Sequence, residues 1–91
     1  MTQWLQSGRR RDICVLLYGS GGIPAQKLKT SLEKHYDDRI EPRQFYGALD
    51  ALERLGYVET RTEGLSDVYE LTDAGAARVE DYTDWLTEQV E

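Results

Sequence analysis

Apolar residues recur at helical spacing through most of the chain, most clearly from Glu41 to Gly56, EPRQFYGALDALERLG. At about 100° per residue, Phe45, Ala48, Leu49, Leu52 and Leu55 share one sector, and Arg43, Gly47, Asp50 and Arg54 line the opposite side. Gln44 and Tyr46 sit on the two margins. Pro42 suits a first helical turn, where the missing N–H costs nothing, and Gly56 suits the left-handed residue just past the last turn. Gly47 is unexpected, since an exposed mid-helix glycine costs about 1 kcal/mol relative to alanine. Close approach by a partner would account for it. Arg43 and Gln44 at the helix start, next to Tyr46, are of the types that reach base edges and phosphates in a major groove. The plainer reading is an ordinary amphipathic core helix.

Upstream, residues 1–8 form a polar leader with two large apolar groups, Trp4 and Leu5, which are expected to pack on another element. Arg9, Arg10 and Arg11 precede the run Ile13, Cys14, Val15, Leu16, Leu17, Tyr18, uniform enough to predict a central buried helix. Three cations at a helix start oppose its dipole, so an anion is expected nearby. DNA phosphate and the acidic C-terminal end are the two candidates, with Asp12 compensating in part. Gly19-Ser20-Gly21-Gly22 lacks the Gly-Lys-Ser/Thr of a phosphate-cradling loop and predicts a flexible connector. A second helix is expected from Pro24 to about Tyr36, with Ala25, Leu28, Leu32 and Tyr36 on one face and Lys27, Thr30 and Lys34 on the other. Lys27 is placed to meet a phosphate backbone, whereas Lys34 reads better as a solvated lysine. A short connector, with Ile40 turned inward, then sets the angle of a helix-turn-helix.

After Gly56 the period changes. Tyr57 to Thr62 is rich in strand formers, 63–67 reads as a turn, and Val68 to Leu71 returns, predicting a hairpin whose one available cation is Arg61. Thr72 suits the N-cap of a last helix, with Asp73 in its first turn. There Gly75, Val79, Tyr82, Leu86 and Val90 form a stripe flanked by Trp85, opposite Asp81, Asp84, Glu88 and Glu91. The stripe outruns what a three-helix core needs. It is assigned to a subunit interface made by Val79, Tyr82, Trp85, Leu86 and Val90, with Trp4 and Leu5 of either chain against it; the alternative is packing on the first helix of the same chain.

Length and composition bound the reading. The 91 residues, 40% hydrophobic, suit one domain: leader 1–8, core 9–71 and C-terminal helix 72–91. No apolar run approaches the ~20 residues of a membrane span, and the N-terminus lacks a signal-peptide core, so a cytoplasmic location is expected. A single cysteine agrees with that compartment. The net charge of -6 is unevenly spread: residues 1–62 carry ten Lys and Arg against eight Asp and Glu, while residues 63–91 carry one against nine. Eight arginines to three lysines, with abundant Asp, resembles the bias of extremely halophilic proteins. In molar salt a Debye length of about 3 Å would remove the long-range repulsion from DNA.

FYGALDALERLGYVE followed by YELTDAG resembles the PadR-like winged-helix transcriptional regulators. Tyr46 in the third helix, Leu52, Glu53 and Gly56 at its exit, and Tyr69, Leu71, Thr72 and Gly75 after the hairpin carry the likeness, which spans roughly residues 9–80. The second motif is shared with the MarR-like group. The resemblance implies an α+β, mainly α winged helix-turn-helix, with a three-helix core, a two-stranded wing and a C-terminal dimerisation helix. It further implies a homodimer that binds a palindromic site in double-stranded DNA and regulates transcription. Gly64-Leu65-Ser66-Asp67 departs from the family's usually basic wing tip, and Arg43 adds a cation at the helix start. The DNA-contacting set is thus Arg43, Gln44, Tyr46, Gly47, Asp50, Arg54, Lys27 and Arg61. With one histidine, one cysteine and no ligand spacing, neither an enzyme, a metal site nor a cofactor is expected. The alternative function is a winged-helix module that docks a protein and ignores DNA.

Overall fold

The computed structural model describes residues 8–90. Its elements are α1 (Gly8–Leu17), β1 (Ile23–Pro24), α2 (Ala25–Tyr36), α3 (Pro42–Arg54), β2 (Val58–Glu63), β3 (Ser66–Leu71) and α4 (Asp73–Val90). Ile13, Cys14 and Leu17 of α1, Leu28 and Leu32 of α2, and Phe45, Leu49 and Leu52 of α3 are all but inaccessible, so the three helices close on one core. Ile40 joins it from the connector at 3% exposure, as its isolation among polar neighbours suggested. Trp4 and Leu5 lie outside the described residues.

The turn between α2 and α3 is held by the chain's own polar groups. Asp37 adopts a left-handed conformation (φ 53°), and the Asp38 N–H returns to the Glu33 carbonyl oxygen at 3.1 Å, closing the helix end. The Glu33 carboxylate accepts the Ile40 N–H and a Lys29 Nζ hydrogen, each at 2.9 Å. That backbone hydrogen bond first, and Lys29 second, hold the Glu33 carboxyl below its ordinary pKa. One side chain of α2 therefore fixes where α3 begins. At the far end Gly56 takes φ 80°, and the Tyr57 N–H bonds the Leu52 carbonyl at 3.0 Å.

The expected two-stranded wing is formed by β2 and β3, and β1 adds an unexpected third strand, order β1-β3-β2, in which Ile23 faces Tyr69 and Pro24 faces Val68. Two residues after a glycine-rich connector carry too little pattern to show as a strand, and only pairing with β3 makes them one. The connector also has a defined geometry: a Cβ on Gly22 (φ 118°) would lie 2.7 Å from the Arg61 guanidinium and 2.9 Å from Val68. The hairpin turn is tighter than expected. Glu63 pairs with Ser66, leaving Gly64-Leu65 as a two-residue loop with positive φ at Gly64, as a type II′ turn requires.

Thr72 caps α4 and ties it to the sheet. Its Oγ1 accepts the Gly75 N–H at 3.1 Å and donates to the Gly56 carbonyl at 2.6 Å. A Cβ on Gly75 would sit 2.2 Å from the Tyr57 carbonyl oxygen, so glycine is what allows α4 to lie this close to the chain leading into β2. Two expectations need correction. The run Ile13–Tyr18 is not uniformly buried: Val15 and Tyr18 are each 45% exposed, because α1 is covered by α2 and α3 on one side and only partly by α4 on the other. Leu55, expected in the apolar sector of α3, is 37% exposed, since the helix ends at Arg54 and the chain turns away.

Candidate nucleic-acid interface

The outward side of α3 is open. Arg43, Gln44, Tyr46, Gly47, Asp50 and Arg54 are all exposed, and Phe45, Leu49 and Leu52 hold the inward side at 1% exposure or less. A Cβ built on Gly47 meets nothing within 4 Å. Internal packing therefore does not explain that glycine. Tyr46 is propped against Phe45, ring centroids 5.1 Å apart and edge on, so its phenol stands away from the core. Arg43 has no hydrogen-bond or ion-pair partner among the described residues. Arg54 does: its guanidinium meets Asp50 at 2.6 Å, both side chains well exposed, the i,i+4 pair expected from spacing. Lys27 is exposed on the outer face of α2.

Arg61 is the sequence-derived candidate whose surroundings differ most from expectation. Its guanidinium is bonded to the Glu63 and Glu70 carboxylates and, at 3.0 Å, to the Gly21 carbonyl oxygen. Those carboxylates, Glu63 first, raise its pKa. Glu63, two residues on along β2, and Glu70, diagonally across on β3, put an acid on either side of it, and the cation serves the sheet and the connector rather than standing free along the wing. At the wing tip Leu65 is fully exposed.

The arginines preceding the apolar run divide. Arg11 lies 3.2 Å from Asp12 and 5.3 Å from the centre of the Tyr82 ring of α4, which answers its charge within the chain. Arg9 points the other way, its Nη1 donating to Gln44 Oε1 of α3 at 3.3 Å. Nothing local in the sequence links Arg9 to α3, because a contact across 35 positions leaves no local signal.

Among the described residues no group of three or more His, Cys, Asp and Glu is placed to hold a metal ion, and no helix is long and apolar enough to cross a membrane. Cys14 is buried, which pushes its thiol up to about 12, and a thiol so protonated is a poor nucleophile.

No known family model and no curated protein matches the chain. Solved structures do. Halobacterium salinarum RosR superposes with a TM-score of 0.85 at 25% identity, over 91% of this chain and 76% of that one. The chain is a winged helix-turn-helix. A Staphylococcus aureus MepR–DNA complex shares this winged-helix fold, with a TM-score of 0.80 at 18% identity over 98% of this chain and 74% of that one. A homodimeric winged helix-turn-helix DNA-binding domain of Mycobacterium bovis gives 0.71 at 24% identity, over 96% and 74%. Within this winged helix α2 and α3 are the helix-turn-helix, β2 and β3 the wing, and α3 occupies the recognition position.

α4 continues beyond the body of the winged helix. Its buried residues are Gly75 and Val79, whereas Trp85, Leu86 and Val90 are 54%, 42% and 75% exposed. Tyr82 stacks on Trp85 at 6.1 Å, and Tyr18 donates to Glu80 Oε2 at 2.7 Å. Val15 of α1 and Tyr18 just past its end, with Val79, Tyr82 and Leu86 of α4, line a shallow groove of about 360 Å³. The start of the α4 stripe thus packs inside the chain and the remainder lies open.

Proposed function

We propose that the chain is a homodimeric transcriptional regulator that binds double-stranded DNA through the outer face of α3. The observation that carries this is Gly47: a mid-helix glycine, open to solvent and unexplained by internal contacts, flanked by exposed Arg43, Gln44, Tyr46, Asp50 and Arg54. A helix lying in a major groove approaches the duplex at such a position, and the flanking side chains are of the types that read bases and phosphates. Arg43, unpaired among the described residues, is assigned to a base edge. Gln44 and Tyr46 are assigned to the groove, Asp50 and Arg54 to its far wall, and Lys27 to the backbone. Arg61, spent on Glu63 and Glu70, gives the wing at most a weak contact.

The exposed apolar edge formed by Val15, Tyr18, Trp85, Leu86 and Val90 supports the dimer, with Val79 and Tyr82 at its base. Two-fold pairing along α4 would set two α3 helices about 34 Å apart and call for a palindromic site. Halobacterium salinarum RosR among the similar structures, together with the acidic, arginine-rich composition, supports a halophilic protein. The PadR-like assignment rests on the Tyr46, Leu52, Glu53, Gly56 and Tyr69, Leu71, Thr72, Gly75 pattern. The engaged Arg61 and the acidic α4 favour one other reading, a winged-helix module that docks a protein.

Selection of binding sites from random duplexes, followed by fluorescence anisotropy, separates the two. The DNA reading expects an enriched palindrome, and Arg43→Ala to cost about 1–3 kcal/mol on it while relaxing one base position. No binding to any duplex at any salt concentration would leave the docking module.

A further inference from the structure

A second concave surface lies beside the start of α3. Arg9, Tyr36, Asp38, Arg39 and Ile40 line a recess of about 230 Å³ between the first turn of α1 and the connector from α2 to α3. Two of these lining residues are arginines and one is a carboxylate. Asp38 turns Oδ1 to the Arg39 N–H at 2.8 Å, and the Tyr36 hydroxyl is held by Asp12. Arg9 is incompletely satisfied: its Nε is buried and has no hydrogen-bond partner among the described residues. A buried donor left unmade is expensive, the more so on a charged group. An anion in the recess would stabilise that guanidinium through its charge, its Nε itself being closed to any ligand.

We propose that this recess seats a backbone phosphate of the duplex, with Arg9 and Arg39 as its donors. The inference rests on the DNA reading above. Its location favours a duplex phosphate over a free anion, because the Arg9–Gln44 hydrogen bond at 3.3 Å puts the recess one residue from Arg43, where α3 begins. A helix entering a major groove by its N-terminal end has phosphates flanking that end, and donors there set register without reading sequence. Arg9 then links the clamp to the reading face, since the same guanidinium holds Gln44 Oε1. The two cations of this seat take the place of those the wing lacks.

The test uses the selected duplex with one neutral methylphosphonate at a time, bound by the whole chain and by Arg9→Gln, Arg39→Gln and the double variant, each checked for folding by circular dichroism. The native protein should lose about tenfold in affinity when one flanking phosphate per half-site is neutralised, the order expected for a lost charge-assisted contact. The double variant should bind less tightly on every sequence and be indifferent to that same neutralisation. Penalties equal in native and variant proteins would overturn the seat while leaving the DNA reading intact. Absence of native binding to any duplex would remove both. In a parallel titration without DNA, millimolar inorganic phosphate moving the Arg9 and Arg39 guanidinium NMR signals as far as the duplex does would reassign the recess to a free anion and overturn the proposal.

Discussion

Glycine at two positions of this chain has opposite causes, and a single substitution tells them apart. Gly47 faces open space, so alanine there removes backbone entropy without a clash and should stabilise the fold by about 1 kcal/mol. If α3 lies against DNA, the same methyl group should weaken duplex binding. Gly75 lies where a Cβ would meet the Tyr57 carbonyl and Leu71, so Gly75→Ala should destabilise by about 1–3 kcal/mol through overpacking. Thermal melts of both variants check the signs; a Gly47→Ala protein less stable than the native one would contradict the exposure argued for that face. Both glycines were visible in sequence, but only Gly47 was suspect, because its place in a periodic helix makes it anomalous. Gly75 was recognised as part of a motif, and its reason, the Tyr57 carbonyl eighteen residues earlier in the chain, just before β2, is tertiary.

At the scale of elements, the helix-turn-helix depends on Glu33. Its pKa is lowered in the folded chain, so its ionised form stabilises the turn at pH above the ordinary glutamate value, and that contribution is lost as pH falls through the depressed value. Melting of the native protein should therefore decline as pH is lowered from about 5 towards 3. Glu33→Gln should melt lower at neutral pH and lose less over the same acid interval; identical pH profiles would show that the carboxylate does not hold the turn. The helices were legible because their periods and punctuation, Pro42 and Gly56 above all, are local. What joins them was not. Glu33 binding the Ile40 N–H, and β1 existing only as a partner of β3, depend on residues meeting across turns. The partners of Arg61 were hidden for a related reason: charge counting along one strand ignores the acid diagonally across on the next, here Glu70 of β3.

For the whole molecule, the proposed dimer and the proposed salt habit are separate expectations. Leu86→Glu places a charge on the exposed apolar edge of α4, away from α3, and should convert a sedimenting dimer into a folded monomer with much weaker affinity for a palindromic duplex. A native chain that sediments as a monomer would contradict the interface. In a halophilic protein, repulsion among the acids of residues 63–91 should make unfolding easiest at low salt and hardest in molar salt, where the Debye length is about 3 Å. The alternation of exposed Val15 and Tyr18 with buried Ile13 and Leu17 lay hidden in a uniformly apolar run. Which part of such a run stays uncovered depends on how many elements pack around it.

The outer face of α3 can be tested directly by following backbone amide NMR shifts of the native protein as the selected duplex is added. The account predicts that the largest changes fall at Arg43, Gln44, Tyr46, Gly47 and Asp50, with Glu80, Asp81, Asp84 and Glu88 of α4 unmoved. Changes concentrated on α4, or spread without preference while α3 stays still, would contradict it.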